Sequence, residues 1–178
     1  MQLSTLNISH VRNLQTTRLR FSPSANVLFG DNGSGKTSFL ESIYLLGRGR
    51  SFRHRDLKTV VQSGTKELVV SGTIFSDQND VSSSLGVKRT TEGQFEARYN
   101  GDELRSASQL APKLPLQMVD AHSFILLEGG AMQRRQFIDW GVFHVEQSFG
   151  SVWRRMQRAL KQRNHLLRHA RMDSEQLV

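Results

Sequence analysis

The sequence predicts an α/β protein built around a phosphate-binding loop, with an antiparallel β subsheet in its middle third and helices toward its C-terminus. Three observations carry this reading. Phe29-Gly30-Asp31-Asn32-Gly33-Ser34-Gly35-Lys36-Thr37 places Gly30, Gly35, Lys36 and Thr37 on the fixed positions of G-x-x-x-x-G-K-[ST]. Alternating apolar segments between Leu68 and Tyr99 run into Asn100-Gly101, a strong hairpin signal. From about Ser148 to His169, Val152, Met156 and Leu160 recur at four-residue spacing.

The glycine loop has the flanks it needs. Asn26-Val27-Leu28-Phe29 reads as a short buried strand running into it. Behind it, Phe39, Leu40, Ile43, Tyr44 and Leu46 recur at helical spacing, and the helix is expected to stop at Gly47. Glycines let a backbone turn tightly and bring its N–H groups close to phosphate oxygens. The positive end of the following helix faces the same anion. In this motif Lys36 reaches the β- and γ-phosphates and Thr37 places its hydroxyl on Mg²⁺. The expected ligand is ATP with Mg²⁺, held by Gly30, Asp31, Asn32, Gly33, Ser34, Gly35, Lys36, Thr37 and Ser38.

The rest follows in chain order. Leu6, Ile8 and Val11 predict a first strand, and Arg12-Asn13 a turn. Leu19 and Phe21, alternating with Arg18 and Arg20, predict a second strand paired with the first. Gly47 to Arg55 holds four arginines and two glycines, a cationic loop that either contacts phosphate or DNA through Arg50 and Arg53 or is simply solvated. Leu68 to Phe75, Val81 to Val87 and Phe95 to Tyr99 make a small antiparallel meander. Leu116-Gln117-Met118-Val119 is short and apolar enough to return to a central sheet. A helix is expected to open at Gly129-Gly130-Ala131, with Arg134 and Arg135 exposed. The last helix carries seven Arg or Lys between Trp153 and Met172 and no Asp or Glu, a face that is either solvated or DNA-binding.

Composition narrows the classes. The chain has 178 residues, 37% hydrophobic, with a formal net charge of +8. That imbalance fits a polyanionic partner, nucleic acid before anionic membrane. With no cysteine there is neither a disulfide nor a thiolate metal site. No basic-then-apolar leader opens at Met1, and no stretch approaches the ~20 apolar residues of a membrane span. The expected location is the cytoplasm. The six histidines form no metal-ligand spacing, although His165 and His169 stand four apart. There is no G-x-S-x-G elbow and no Asn-Lys-x-Asp guanine motif. For hydrolysis a P-loop ATPase also needs an acidic residue ending a second buried strand. Met118-Val119-Asp120 and Phe137-Ile138-Asp139 are the nearest matches, and neither has the flanks of one.

Five blocks, in order, resemble the RecF family of ABC-type DNA-repair ATPases. They are Val11-Arg12-Asn13; the loop with Ser38 and Leu40-Glu41-Ser42-Ile43-Tyr44; Gly49-Arg50-Ser51-Phe52-Arg53; Arg134-Arg135-Gln136-Phe137-Ile138-Asp139-Trp140; and Leu160-Lys161-Gln162-Arg163-Asn164. The resemblance implies an ABC- or Rad50-like ATPase head, with residues 1–145 in the ATP-binding lobe I and 146–178 beginning a helical lobe II. It implies Arg12 and Asn13 beside the nucleotide, and Gln117 as the Q-loop counterpart. It implies ATP as a dimerisation switch and binding of double-stranded DNA and gap junctions. Partners would be RecR and RecO, with RecA loaded downstream, in recombinational repair, replication restart and the SOS response.

The sequence departs from that pattern at Ala121 and His122, where the family commonly has proline and glutamate, and at Ala131. The family's Walker B strand and signature motif have no counterpart here, so the resemblance covers its N-terminal half. The family is a weak DNA-dependent ATPase, and this chain alone is expected not to hydrolyse ATP. Two other readings stand beside it: a basic DNA-binding module with a vestigial P-loop, and, less well supported by motifs, a P-loop kinase or GTPase.

Overall fold

A computed structural model describes residues 1–54, 56–76, 81–120, 123, 128–146 and 148–175. Two compact units divide the chain, Met1–Gln117 and Met118–Val178. The first unit holds one six-stranded sheet: β1 (Gln2–Ser9), β2 (Thr17–Arg20), β3 (Glu67–Ser76), β4 (Val81–Thr90), β5 (Phe95–Tyr99) and β6 (Asp102–Glu103). The spatial order is β2-β1-β3-β4-β5-β6, and every neighbouring pair is antiparallel. The meander and the β1–β2 pairing expected from alternation are both present. They form a continuous sheet, because β1 pairs with β3 along most of its length.

Alternation decides which face is buried. Leu6, Ile8, Val70, Ile74, Leu85, Val87 and Ala97 point inward and form the core. Residues between them, such as Thr5, Ser71 and Thr73, line the other face, where Thr5 donates to Thr73 at 2.9 Å. The helix α1 (Lys36–Arg48) packs on β3 and β4. The hairpin turn between β5 and β6 has Asn100 and Gly101 both at positive φ, as its dipeptide requires.

Three local expectations are corrected. Residues 26–29 form no strand: Val27 is 85% exposed and Phe29 88% exposed. The run is apolar, but among the described residues no strand lies beside it to share its hydrogen bonds, and a lone strand is not stable. Residues 116–119 likewise form no strand, and Val119 is 78% exposed. Finally, α1 does not stop at Gly47. It continues to Arg48 and is capped by Gly49, whose φ is 64° and whose N–H donates to the Leu45 carbonyl at 2.7 Å. Gly47 is glycine for another reason, since a Cβ there would stand 2.5 Å from Leu116 Cδ1 and 3.0 Å from the Leu114 carbonyl oxygen.

The face that α1 buries is also rotated from the apolar stripe. Ser38, Glu41, Ser42, Leu45 and Leu46 are buried, while Leu40 is 48% exposed. The exposed Leu40, with Phe39, Val27, Leu28, Leu19 and Phe21, lines an open groove of about 500 Å³.

The second unit contains α2 (Ala131–Val145) and α3 (Phe149–Glu175). Both helices fall where the pattern predicts, and Gly130 is the N-cap of α2. The two pack on each other, and Trp153 Nε1 donates to Asp139 at 3.1 Å. Ala121 and His122, the family departures, lie outside the described residues, as does Arg55 of the cationic loop.

Two glycines at helical positions give opposite expectations. Gly47→Val is expected to destabilise the protein by about 2 kcal/mol or more, because overpacking against a fixed carbonyl outweighs the few tenths gained in helix propensity. A Cβ at Gly141 meets nothing within 4 Å. Gly141→Ala is expected to stabilise α2 by about 0.5–1 kcal/mol. Thermal and urea unfolding followed by circular dichroism distinguish the two.

Candidate functional site

The phosphate loop spans Gly30 to Ser38 and ends inside the first turn of α1. Its shape depends on three glycines with φ of 148°, 84° and 97°, at Gly30, Gly33 and Gly35. Side-chain-bearing residues rarely adopt those angles. Gly35 is the N-cap of α1, so the helix's first N–H groups open toward the loop. Phe39 N–H, the first to turn back into the helix, donates to the Gly35 carbonyl at 2.8 Å. The Lys36 ammonium lies over the loop and donates to the Gly30 and Asp31 carbonyls, both at 2.7 Å. Thr37 is exposed at the mouth, whereas Ser38 is buried beneath it. Asp31, Asn32, Gly33 and Ser34 are exposed.

The corner after β1 braces this loop. His10 and Arg12 both have positive φ, 58° and 48°. For non-glycine residues that is strained, and hydrogen bonds hold it: Arg12 N–H to the Val60 carbonyl at 2.8 Å and Gln62 N–H to the His10 carbonyl at 2.9 Å. The corner so fixed presents Asn13 to the loop. Asn13 Nδ2 donates to the Gly33 carbonyl at 3.1 Å, and Ser38 Oγ donates to Asn13 Oδ1 at 3.2 Å. Asn13 therefore stands beside the phosphate loop.

Arg12 is turned the other way. Its guanidinium grips Glu41 with two hydrogen bonds, from Nε to Oε2 and from Nη2 to Oε1, the second at 2.9 Å, and Nη1 donates to the Thr59 carbonyl at 3.1 Å. The Glu41 side chain is 0% exposed and also accepts from Ser51 Oγ. Burial pushes the Glu41 carboxyl up, but the hydrogen bonds from Arg12 and Ser51 and the charges of Arg12 and Arg53 outweigh it and hold it below the usual carboxylate range. Arg12 is correspondingly raised, chiefly by its hydrogen bond to Glu41. The apolar stripe hid this carboxylate. Its only sequence signal is position: Glu41 stands three residues after Ser38 and four before Leu45, on the side that becomes buried.

The remaining candidates fall in separate places. Arg50 and Arg53 are exposed in the loop beyond α1. Gln117 is exposed at the end of the first unit. Arg134 and Arg135 are exposed on α2 in the second unit, and Arg134 donates to the Gly129 carbonyl at 2.7 Å. Among the described residues no three His, Asp or Glu are grouped to hold a metal, and no helix is long and apolar enough to cross a membrane. The site is thus built for an anion: a glycine cradle, a helix N-terminus and one ammonium. Thr37 adds a single hydroxyl that can ligate a hard cation arriving with a phosphate.

Loop, helix and sheet together define a P-loop ATPase-head lobe. The family is shown by sequence: residues 2–130 match the RecF/RecN/SMC N terminal domain, and the chain belongs to that family. It is 50% identical over 173 residues to the DNA replication and repair protein RecF of Pseudomonas paraeruginosa, covering 97% of this chain and 47% of the relative. It is 51% identical over 175 residues to that of Stutzerimonas stutzeri, covering 98% and 47%. The chain therefore spans about half the length of these relatives.

Solved structures agree on the fold. The recombination mediator protein RecF-ATP of the RecFOR pathway superposes with a TM-score of 0.81 at 23% identity, over 93% of this chain and 46% of that one. A Smc head domain from Pyrococcus furiosus, with an extended coiled coil and bound to the C-terminal domain of ScpA, gives 0.67 at 15% identity, over 93% and 48%.

Removing the Arg12 guanidinium strands the buried Glu41 carboxylate. Arg12→Ala is expected to cost about 3 kcal/mol or more of stability. The sign of the pH effect follows from the lowered Glu41 carboxyl. Its contribution is complete above the unfolded carboxyl's ordinary value and is lost as pH falls through the lower folded value. Urea midpoints measured from neutral pH down into the acid range should decline, and Glu41→Gln should flatten that decline.

Proposed function

We propose that this chain is the ATP-binding lobe of a RecF-type ATPase acting in recombinational DNA repair and replication restart. The observation that carries it is the phosphate loop: three positive-φ glycines at the start of α1, with Lys36 over them and Asn13 bracing them. In this reading Gly30–Ser38 holds the triphosphate of ATP, Lys36 moves from its two carbonyls onto the phosphates, and Thr37 ligates the accompanying Mg²⁺. Lobe I would comprise residues 1–145, with Gln117 as its Q-loop counterpart, and 146–178 would begin the helical lobe.

The relatives' name, DNA replication and repair protein RecF, supports DNA as the polyanion that the +8 charge suits. Arg50, Arg53, Arg134 and Arg135 are the proposed DNA contacts. RecR and RecO would be partners, with RecA loading downstream, in the cytoplasm and without a membrane. ATP would act as a dimerisation switch.

The unpaired run of residues 26–29 also belongs to this proposal. It enters the phosphate loop with its apolar side chains exposed beside a groove. In a protein of the relatives' length, a strand from the part not spanned here would pair with it and bring the acidic Mg²⁺ ligand. Without that residue the chain would bind nucleotide weakly and not hydrolyse it.

Calorimetry with Mg-ATP, the chain beside its Lys36→Ala variant, tests this. Binding that the variant reduces about tenfold or more supports the ATPase lobe; measurable turnover abolished by the variant would refute the no-hydrolysis expectation. No nucleotide binding, with DNA affinity that falls with salt and ignores ATP, would favour a basic DNA-binding module instead.

A further inference from the structure

We propose that Glu41 is a positioning residue, and that the hydroxyl of Ser51 couples the cationic loop to the phosphate loop through it. This deepens the proposed function and rests on the phosphate loop taking ATP. The observation is a path inside the first unit, made of hydrogen bonds and one step along the backbone from Arg12 to Asn13. At one end, Ser51 Oγ accepts from the backbone N–H groups of Arg53 at 2.9 Å and His54 at 3.1 Å, so this one hydroxyl sets the turn that presents Arg50 and Arg53. The same hydroxyl donates to Glu41. Arg12 grips both oxygens of the Glu41 carboxylate and shares Oε1 with Ser51. Arg12 adjoins Asn13, whose side chain holds the Gly33 carbonyl and the Ser38 hydroxyl.

Each link is directional, and the buried carboxylate at its centre makes a change at one end felt at the other. Glu41 is fully buried, so its oxygens have no water to fall back on. A displacement of Arg12 therefore changes what Glu41 can offer Ser51. Arg12 moves with Asn13, because both sit in one strained corner pinned to Val60 and Gln62. An anion entering the loop must reposition the Gly33 peptide or the Lys36 ammonium, and Asn13 bonds directly to the first. Binding at the loop and order in the segment Arg50–His54 are then linked, and linkage is reciprocal.

The experiment uses the whole chain. Trypsin cleavage after Arg50 and Arg53 is timed by mass spectrometry with and without Mg-ATP, beside calorimetry of ATP binding. Ser51→Ala removes only the loop's arm of the path and leaves the Arg12–Glu41 pair, so it folds even where Glu41→Gln does not. Ser51→Thr keeps the hydroxyl. Expected are at least fivefold slower cleavage with ATP in the parent chain, fast cleavage indifferent to ATP and weaker ATP binding in Ser51→Ala, and recovery of both in Ser51→Thr. A merely structural serine would not link loop cleavage to ATP. If ATP binds but cleavage in the parent ignores it, or Ser51→Ala keeps the protection, the coupling is wrong and the ATPase reading stands. If the parent chain binds no ATP, both fall together.

Discussion

A carboxylate with no access to water must be paired, and Glu41 is such a carboxylate at the base of the phosphate loop. Desolvation of a lone ion costs several kcal/mol, so the fold is obliged to deliver donors to that point. It delivers them from two sides of α1: Arg12 from the corner after β1, and Ser51 from the loop after the helix. The corner must adopt left-handed angles at His10 and Arg12 to reach, and those angles hold because Val60 and Gln62 bind its backbone. The same corner then aims Asn13 at Gly33. The loop's position relative to the sheet thus follows from satisfying one buried charge. A hydrophobic residue at position 41 would fill the space and remove the cost, but it would leave neither flank of the loop tied to the helix.

How much of this was legible in the sequence depends on where the hydrogen bonds go. The meander β3–β4–β5 could be read because each strand has an antiparallel neighbour close in sequence, so alternation and the Asn100-Gly101 turn are sufficient. The glycine loop could be read because its residues are chosen by backbone angle and not by packing. Residues 26–29 could not be read correctly from local pattern: an apolar run becomes a strand only where another strand accepts its N–H groups, and no such strand lies beside it among the described residues. Gly47 was misread for a similar reason. Its lack of a side chain answers to Leu114 and Leu116, nearly seventy residues away, and not to the end of the helix. Glu41 escaped because helical periodicity scores apolar residues, and the face that α1 buries carries two serines and a carboxylate beside two leucines.

The structure also divides the basic residues by what they do. Several cations are committed to holding the fold. Arg12 is bound to Glu41, and Lys88 lies between Glu67 at 3.7 Å and Glu96 at 2.8 Å across three strands. Arg48 donates to the Leu116 carbonyl and Arg89 to the Gly49 carbonyl, both near the C-terminal end of α1, where the helix presents its negative pole. Arg89 also stacks over Phe95, as Lys113 does over Tyr99, each 4.2 Å from the ring. Burial lowers Arg48 and Arg89 from the ordinary arginine value. These four, with Lys113, are poor candidates for phosphate contact because each would have to abandon a partner.

What remains available is distributed unevenly. In the first unit the exposed arginines of the loop beyond α1 follow directly from the buried end of the Ser51 turn. In the second unit α3 carries Arg154, Arg155, Arg158, Lys161, Arg163 and Arg168 on a stretch exposed from Ser151 to Arg168, with no acid between Trp153 and Met172. A net charge of +8 says only that anions are favoured. Its division says more. A fixed set of cations is neutralised locally and sets geometry, while a separate set is left to solvent and can release counterions on meeting a polyanion. The Ser51 turn is where the two sets touch: its hydroxyl hydrogen-bonds to the buried carboxylate on one side and orders the exposed arginines on the other.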